Sequence, residues 1–211
     1  MRNEVIRDLV TMGFAPSVIF DVGANIGQSL VEFAKAFPGA RVHSFEPIKA
    51  TFERLRQCAA AHPNAQAHRV AMSSGRREVV MRALGASLGN RIMAPDAAGD
   101  RFQLVTTVSG MEIAASLGVD RIDVLKIDTE GHDLEVVKGF GDMIRDKRIE
   151  FIQVECGFAP ENDRHIPFNL FTEHFFPLGY RLFGIYGQRR HFGNTRMRNL
   201  MFADAVFVSM P

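Results

Sequence analysis

The stretch that decides the fold is VIFDVGANIGQ, residues 18–28. Its first five residues are mostly apolar, with β-branched and aromatic side chains, which predicts a buried strand. Apolar residues then recur at helical spacing until Pro38 and Gly39 end the pattern. These residues are Ile26, Leu30, Phe33, Ala34 and Phe37. Gly23 and Gly27 therefore lie where a strand passes into a helix.

The two glycines indicate a ligand site at this turn. Gly23 permits a turn that a side chain would hinder, and Gly27 allows close packing of a ligand or strand against the start of the helix. The N–H groups at a helix N-terminus receive a carboxylate as readily as a phosphate. The G-x-x-x-G spacing differs from the G-x-G-x-x-G of dinucleotide-binding proteins, so a pyrophosphate is the poorer candidate. Taken alone, the motif also fits a glycine turn in any doubly wound protein.

The strand–helix unit then repeats. Residues Arg41–Phe45 predict a second strand, and the apolar stripe from Ile48 to Ala59 predicts a helix opened by Pro47. Glu46 follows the strand at about the distance at which an acidic residue meets ribose hydroxyls. A surface glutamate is the alternative for Glu46 alone, but the combination with the glycine turn favours a nucleoside ligand.

The alternation of strands and helices continues along the chain. Further strands are predicted over residues 67–72, 122–128, 150–156, 180–186 and 200–208, and local strand arms over residues 76–84 and 104–108. No helical pattern separates the last two strands, which predicts an antiparallel pair. The expected fold class is α/β, with a doubly wound, mainly parallel seven-stranded sheet and a C-terminal antiparallel hairpin.

The bulk composition predicts one globular domain over residues 1–211, since 46% of the residues are hydrophobic and 23% charged. Residues 1–17 are expected to form an N-terminal helical segment, and residues 85–101 a loop that is a candidate lid. The net charge of +1 makes nucleic acid an unlikely partner. Cys58 and Cys156 lack the spacing of a zinc or redox motif. Without a secretory signal or an apolar run of roughly 18 residues, we expect a cytoplasmic protein without a membrane partner.

Four motifs together resemble the FkbM family of S-adenosylmethionine-dependent methyltransferases. They are FDVGANIGQ, SFEP at residues 44–47, RVAMS at 69–73 and LKIDTEGHDLEVVKG at 125–139. The resemblance runs from about Val18 to Glu155, and the last motif is the most specific because the glycine turn and the acidic strand end are shared by most class I methyltransferases. It implies a Rossmann-like class I methyltransferase fold with S-adenosyl-L-methionine as cofactor.

The resemblance also implies a role for individual residues. Glu46 would bind the ribose with Pro47 beside it, and Ala71 and Met72 would flank the adenine. Asp128 would lie where cofactor and acceptor meet. The residues around the methionine part of the cofactor would be Asp21, Gly23, Ala24, Asn25 and Gly27.

Three carboxylates are candidates for a catalytic base: Asp128, Glu130 and Glu155, each at or just beyond the carboxyl end of a predicted strand. His132 and His165 are weaker candidates. Asp128 and Glu130 have the alternative roles of binding the cofactor's ammonium or capping the next helix. Asp128 and Glu155 are also candidates to share Mg²⁺, although two carboxylates do not establish a metal site.

Two further patterns come late in the chain. A basic group, Arg189, Arg190, His191, Arg196 and Arg198, suits either an anionic acceptor or a solvated loop, with the loop favoured. Four phenylalanines at helical spacing, Phe168, Phe171, Phe175 and Phe176, predict a packed core face.

Family resemblance favours O-methylation of a hydroxyl on a sugar, glycan precursor or specialised metabolite. N-methylation, a protein or RNA substrate, and a non-catalytic cofactor-binding protein are the alternatives. The acceptor, the metal dependence and the oligomeric state stay open at this level.

Overall fold

The computed structural model describes residues 3–83, 92–93, 99, 101–192, 195–196 and 198–210. The candidate lid, residues 85–101, lies outside the described residues apart from positions 92, 93, 99 and 101. The helices are α1 (Glu4–Thr11), α2 (Gln28–Ala36), α3 (Lys49–Ala60), α4 (Gly110–Ser116), α5 (Asp133–Gly139), α6 (Gly141–Arg145) and α7 (Phe168–Phe175). The strands are β1 (Val18–Val22), β2 (Arg41–Phe45), β3 (Ala65–His68), β4 (Ala71–Ser73), β5 (Arg77–Arg82), β6 (Phe102–Ser109), β7 (Ile122–Ile127), β8 (Ile149–Gly157), β9 (Tyr180–Arg189), β10 (His191–Phe192), β11 (Thr195–Arg196) and β12 (Phe202–Ser209).

A seven-stranded sheet in the order β3-β2-β1-β7-β8-β12-β9 forms the centre of the molecule. The first five strands in this order, β3-β2-β1-β7-β8, are parallel to one another, whereas β12 pairs antiparallel with both β8 and β9. The chain runs outward from β1 to β3 and returns on the other side of β1 with β7, so the carboxyl end of β1 is a topological switch point, where open α/β sheets bind ligands. The predicted fold class and the closing antiparallel hairpin are confirmed.

Helices cover both faces of this sheet. On one face, Ile19 and Val124 pack with residues of α1, α2 and α3 such as Leu9, Phe33 and Leu55. On the other face, residues of the same strands pack with α4 to α7. Alternate residues of β1 thus enter opposite cores, which explains why all five of its residues are buried.

One strand prediction is wrong. Residues 67–72 do not form a single strand: β3 ends at His68, and Ala71 begins β4 in a separate three-stranded sheet, β4-β6-β5. The physical reason is that β2 ends at Phe45, the partner of His68, so the chain beyond His68 has no further edge to pair with. The predicted local arms at 76–84 and 104–108 are β5 and β6 of this sheet.

The predicted phenylalanine face is confirmed only in part. Phe171 and Phe175 are fully buried, and Phe168 packs against the same core. Phe176 is 42% exposed because it is the C-cap residue of α7, where the helix ends.

Within residues 1–17, predicted as a helical segment, α1 covers Glu4–Thr11. Its Leu9 is fully buried, and Asp8 accepts a hydrogen bond of 3.1 Å from the Tyr186 hydroxyl of β9. In the described ranges, no helix has the length and apolar character needed to cross a membrane.

Candidate active site

The turn after β1 brings the ends of three strands together. The backbone N–H groups of Gly23 and Ala24 both donate to the Phe45 carbonyl at 3.0 Å, which ties the turn to β2. Gly23 has a φ of 82°, and a Cβ there would collide with the backbone oxygen of Asp128 beyond β7. Only glycine therefore fits between β1 and β7 at this point.

Gly27 serves helix packing. It is the N-cap of α2 with a φ of 99°, and a Cβ there would lie 3.0 Å from the Cys58 sulfur and 3.2 Å from Leu55 of α3. The close neighbour that Gly27 admits is therefore another helix.

A cavity of about 450 Å³ lies over this turn. The predicted cofactor residues on its wall are Gly23, Ala24, Asn25, Glu46, Pro47, Ala71, Met72 and Asp128. The wall also includes Glu130, His132 and Arg189. Asp21 and Gly27 are outside the lining, so their predicted contacts with a cofactor are indirect in this arrangement.

Glu46 is buried at the cavity, with 5% of its surface exposed. Its carboxylate accepts a 2.9 Å hydrogen bond from the Ile48 N–H and another from the backbone of Asn25. Burial raises the pKa of Glu46 to about 7, which these two hydrogen bonds only partly oppose. Among the described residues no cation pairs with it, so a ligand that donates hydrogen bonds fits this carboxylate best.

Lys126 lines the cavity and was not among the residues that the sequence singled out. It is 6% exposed, and its Nζ lies 3.5 Å from Asp21 Oδ1 and 3.2 Å from Asp128 Oδ2. Burial alone would lower the pKa of Lys126, but the carboxylates of Asp128, Asp21 and Asp204 raise it on balance. A lysine between Leu125 and Ile127 in the mostly apolar strand IDVLKI was the signal for a buried, paired cation.

Asp133 organises the loop after β7. It is 1% exposed and accepts hydrogen bonds from Thr129 N at 3.3 Å, Thr129 Oγ1 at 3.1 Å and Gly131 N at 3.2 Å. Burial raises the pKa of Asp133 to about 7. Asp133 thus satisfies the loop N–H groups before α5, the role that had been an alternative for Asp128 and Glu130.

The other two candidate bases, like Asp128, are held by basic side chains. Glu130 Oε2 accepts from Arg164 Nε at 3.0 Å and Nη2 at 2.7 Å. Glu155 Oε2 lies 3.0 Å from Nε2 of His165, whose Nδ1 lies 3.0 Å from Asn162. Glu155 is not on the wall of the cavity over the turn.

His132 and the basic group occupy different places. His132 lines the cavity with Nε2 at 3.0 Å from the Ser73 hydroxyl, and burial lowers its pKa to about 4, so it is neutral near pH 7. Of the basic group, Arg189 reaches the cavity, whereas Arg190 donates to the Arg198 carbonyl at 2.6 Å in an exposed loop.

Asp128 and Glu155, the candidate pair for Mg²⁺, are not joined by a third ligand among the described residues. In the described part of the chain, no group of three or more His, Cys, Asp and Glu side chains is arranged to hold a metal ion. Asp128 and Glu155 instead contact Lys126 and His165.

The fold defines the class of protein. Magnesium protoporphyrin IX methyltransferase from Synechocystis PCC 6803, solved with bound S-adenosylmethionine, superimposes with a TM-score of 0.56 at 14% identity, covering 98% of this chain and 77% of that chain. The chain therefore has the class I methyltransferase fold.

A family model described as "Methyltransferase FkbM domain" matches residues 21–182, and the chain belongs to this family. It is 27% identical over 164 residues to hexuronic acid methyltransferase AglP of Haloferax volcanii, an alignment covering 76% of this chain and 65% of that protein. It is 29% identical over 166 residues to 31-O-demethyl-FK506 methyltransferase FkbM of Streptomyces tacrolimicus, covering 59% of this chain and 60% of that protein. The chain thus spans less than two thirds of each of these relatives.

Proposed function

We propose that this protein is an S-adenosylmethionine-dependent methyltransferase that methylates a hydroxyl of a sugar, glycan precursor or specialised metabolite. The observation that carries the proposal is the buried Glu46 carboxylate beside the Gly23 turn, in a cavity at the switch point of the sheet. Membership of the FkbM family supports the same reaction class.

The residues present fit the cofactor. Glu46 would accept hydrogen bonds from the ribose hydroxyls, and Ala71 and Met72 supply an apolar wall for the adenine. Asn25 Oδ1 is buried without a hydrogen-bond partner among the described residues, so it is available to a donor such as the cofactor's ammonium. Gly23 keeps the backbone at the turn free of a side chain.

The reaction requires alignment and removal of a proton. When bound, S-adenosylmethionine supplies a methyl group already activated by its sulfonium. Asp128 would accept the proton of the acceptor hydroxyl, because its half-buried side chain lies on the cavity wall. Glu130 would position the loop through Arg164. The acceptor class is carried by the relatives, one named for hexuronic acid and one for an O-demethyl compound.

Isothermal titration with S-adenosylmethionine, S-adenosylhomocysteine and NAD tests the cofactor assignment. We expect binding of the first two and not of NAD. Glu46→Ala should weaken binding at least about tenfold because it removes a charged hydrogen-bond acceptor. The matched variant Glu53→Ala, on the exposed face of α3, should bind like the parent. Binding of NAD alone would overturn the proposal, and unchanged affinity in Glu46→Ala would overturn the ribose assignment.

A further inference from the structure

A second cavity, of about 500 Å³, adjoins the one over the turn. The two share Ser29, Lys126, Asp128 and Arg189, so they meet at the predicted base. The second cavity extends from there toward the start of α1 and the antiparallel end of the sheet. It is therefore large enough for a sugar-sized acceptor and reaches the group that would take its proton.

The described wall of this cavity carries more negative than positive groups. Five carboxylates line it: Glu4, Glu32, Asp128, Glu155 and Asp204. The two cationic side chains are Lys126 and Arg189. Lys126 forms ion pairs with Asp21 and Asp128. The other carboxylates of the wall, Glu4, Glu32, Glu155 and Asp204, still outnumber the remaining cationic side chain, Arg189.

Asp204 lies buried among these charged groups. Burial raises its pKa to about 6, and Asp128 and Glu155 push it in the same direction against the opposing effect of Lys126. A carboxylate on a ligand would meet the same repulsion from the same neighbours.

Gln153 adds a buried hydrogen-bond acceptor to the wall. It is 3% exposed and lines the cavity. Its side chain is hydrogen-bonded to Asp204, which requires the amide nitrogen to face that carboxylate. Its Oε1 has no hydrogen-bond partner in the described ranges. The wall therefore offers acceptors, and a ligand rich in donors complements it.

We propose that this second cavity binds the acceptor and that its surplus of carboxylates selects a hydroxyl-rich acceptor without negative charge over a hexuronate. The inference rests on the proposed function, and it separates this chain from the relative named for hexuronic acid. Neutral sugars and amino sugars share the required chemistry, since both present donors and neither carries an anion.

Three six-carbon sugars that differ in charge test the selectivity of the second cavity against an anionic acceptor. D-glucosamine, D-glucose and D-glucuronate are titrated by saturation-transfer NMR into the protein saturated with S-adenosylhomocysteine. The first two should bind at least about tenfold more tightly than glucuronate. Glu32→Gln should reduce the ratio of the glucuronate to the glucose dissociation constant about threefold or more, because Glu32 lines the cavity. Glu53→Gln, which removes the same charge from the exposed face of α3, should leave the ratio unchanged.

The outcomes separate the two proposals. If S-adenosylhomocysteine does not bind, the proposed function fails. If it binds, three results would each overturn the inference about the acceptor. They are glucuronate binding as tightly as the other two sugars, no saturation transfer to any of the three sugars, or a ratio of dissociation constants in Glu32→Gln equal to that in the parent.

Discussion

Replacing Glu46 with glutamine should stabilise the cofactor-free protein. Burial raises the pKa of Glu46 from 4.5 to about 7, so ionisation of this carboxyl disfavours the fold. Because the folded-state pKa is the higher one, the destabilisation is absent well below pH 4.5, grows as the pH rises and is complete above about pH 7. At about 1.4 kcal/mol per pH unit it reaches about 3 kcal/mol. Glutamine removes this cost.

The substitution also removes a hydrogen-bond acceptor. It has one acceptor oxygen, whereas the Glu46 carboxylate receives N–H groups from both Ile48 and Asn25. Losing one of these hydrogen bonds costs about 1 kcal/mol. The net gain in the free energy of unfolding should therefore be about 2 kcal/mol near pH 8, or about 5 °C in Tm for a chain of this length. Near pH 5 the parent carboxyl is largely protonated, and the gain should be close to zero.

Urea unfolding of the cofactor-free protein near pH 8 and pH 5 measures both values. Glu53→Gln is the matched control, because the Glu53 side chain is 47% exposed and its ion pair in the described part of the chain is with Arg56, so its replacement should change stability by less than about 0.5 kcal/mol at either pH. A Glu46→Gln variant no more stable than the parent near pH 8 would refute the reasoning, since the carboxylate would then be either solvated or neutralised in the native state.

Two other variants probe the turn and the buried cation. Gly23→Ala should lower the free energy of unfolding by at least about 2 kcal/mol and abolish binding of S-adenosylhomocysteine, because the new Cβ collides with the Asp128 carbonyl. Gly39→Ala, which has open space around it, is the control and should match the parent in thermal unfolding and in titration. Lys126→Met should lose about 3 kcal/mol near pH 8 by leaving Asp21 buried without its cation. The loss should be smaller near pH 5, because burial raises the pKa of Asp21 and raises that of Asp204 to about 6, so a fall in pH favours their neutral forms. Urea unfolding that shows an equal loss at both pH values would contradict this account.

The strand–helix repeat was predictable because its signals are local. The end of β1 follows from a mostly apolar run that stops at the glycine turn, and the end of β2 follows from Glu46–Pro47. The antiparallel closing pair followed from the absence of a helical pattern between its strands. The single strand predicted over residues 67–72 was wrong because the length of a strand also depends on where its neighbour ends. The neighbour here is β2, whose last residue pairs with His68.

The partners of the catalytic candidates could not be predicted, because they are set by tertiary contacts. Arg164 reaches Glu130 across 34 residues of sequence, and nothing local to either residue indicates the pair. Lys126 lies two residues from Asp128 in sequence, yet its position between Asp21 and Asp128 depends on the pairing of β1 with β7.

The two cavities distinguish three carboxylates that the sequence could not rank. A general base needs a lone pair directed at the acceptor and a fixed orientation. Each of the three has an oxygen held by a basic side chain: Oε2 of Glu130 by Arg164, Oε2 of Glu155 by His165 and Oδ2 of Asp128 by Lys126. Glu130 lines the cavity over the turn and Glu155 the second cavity, whereas Asp128 lines both. The same lysine that balances the buried Asp21 thus orients the proposed base, and its loss should reduce the rate of methyl transfer as well as the stability of the fold.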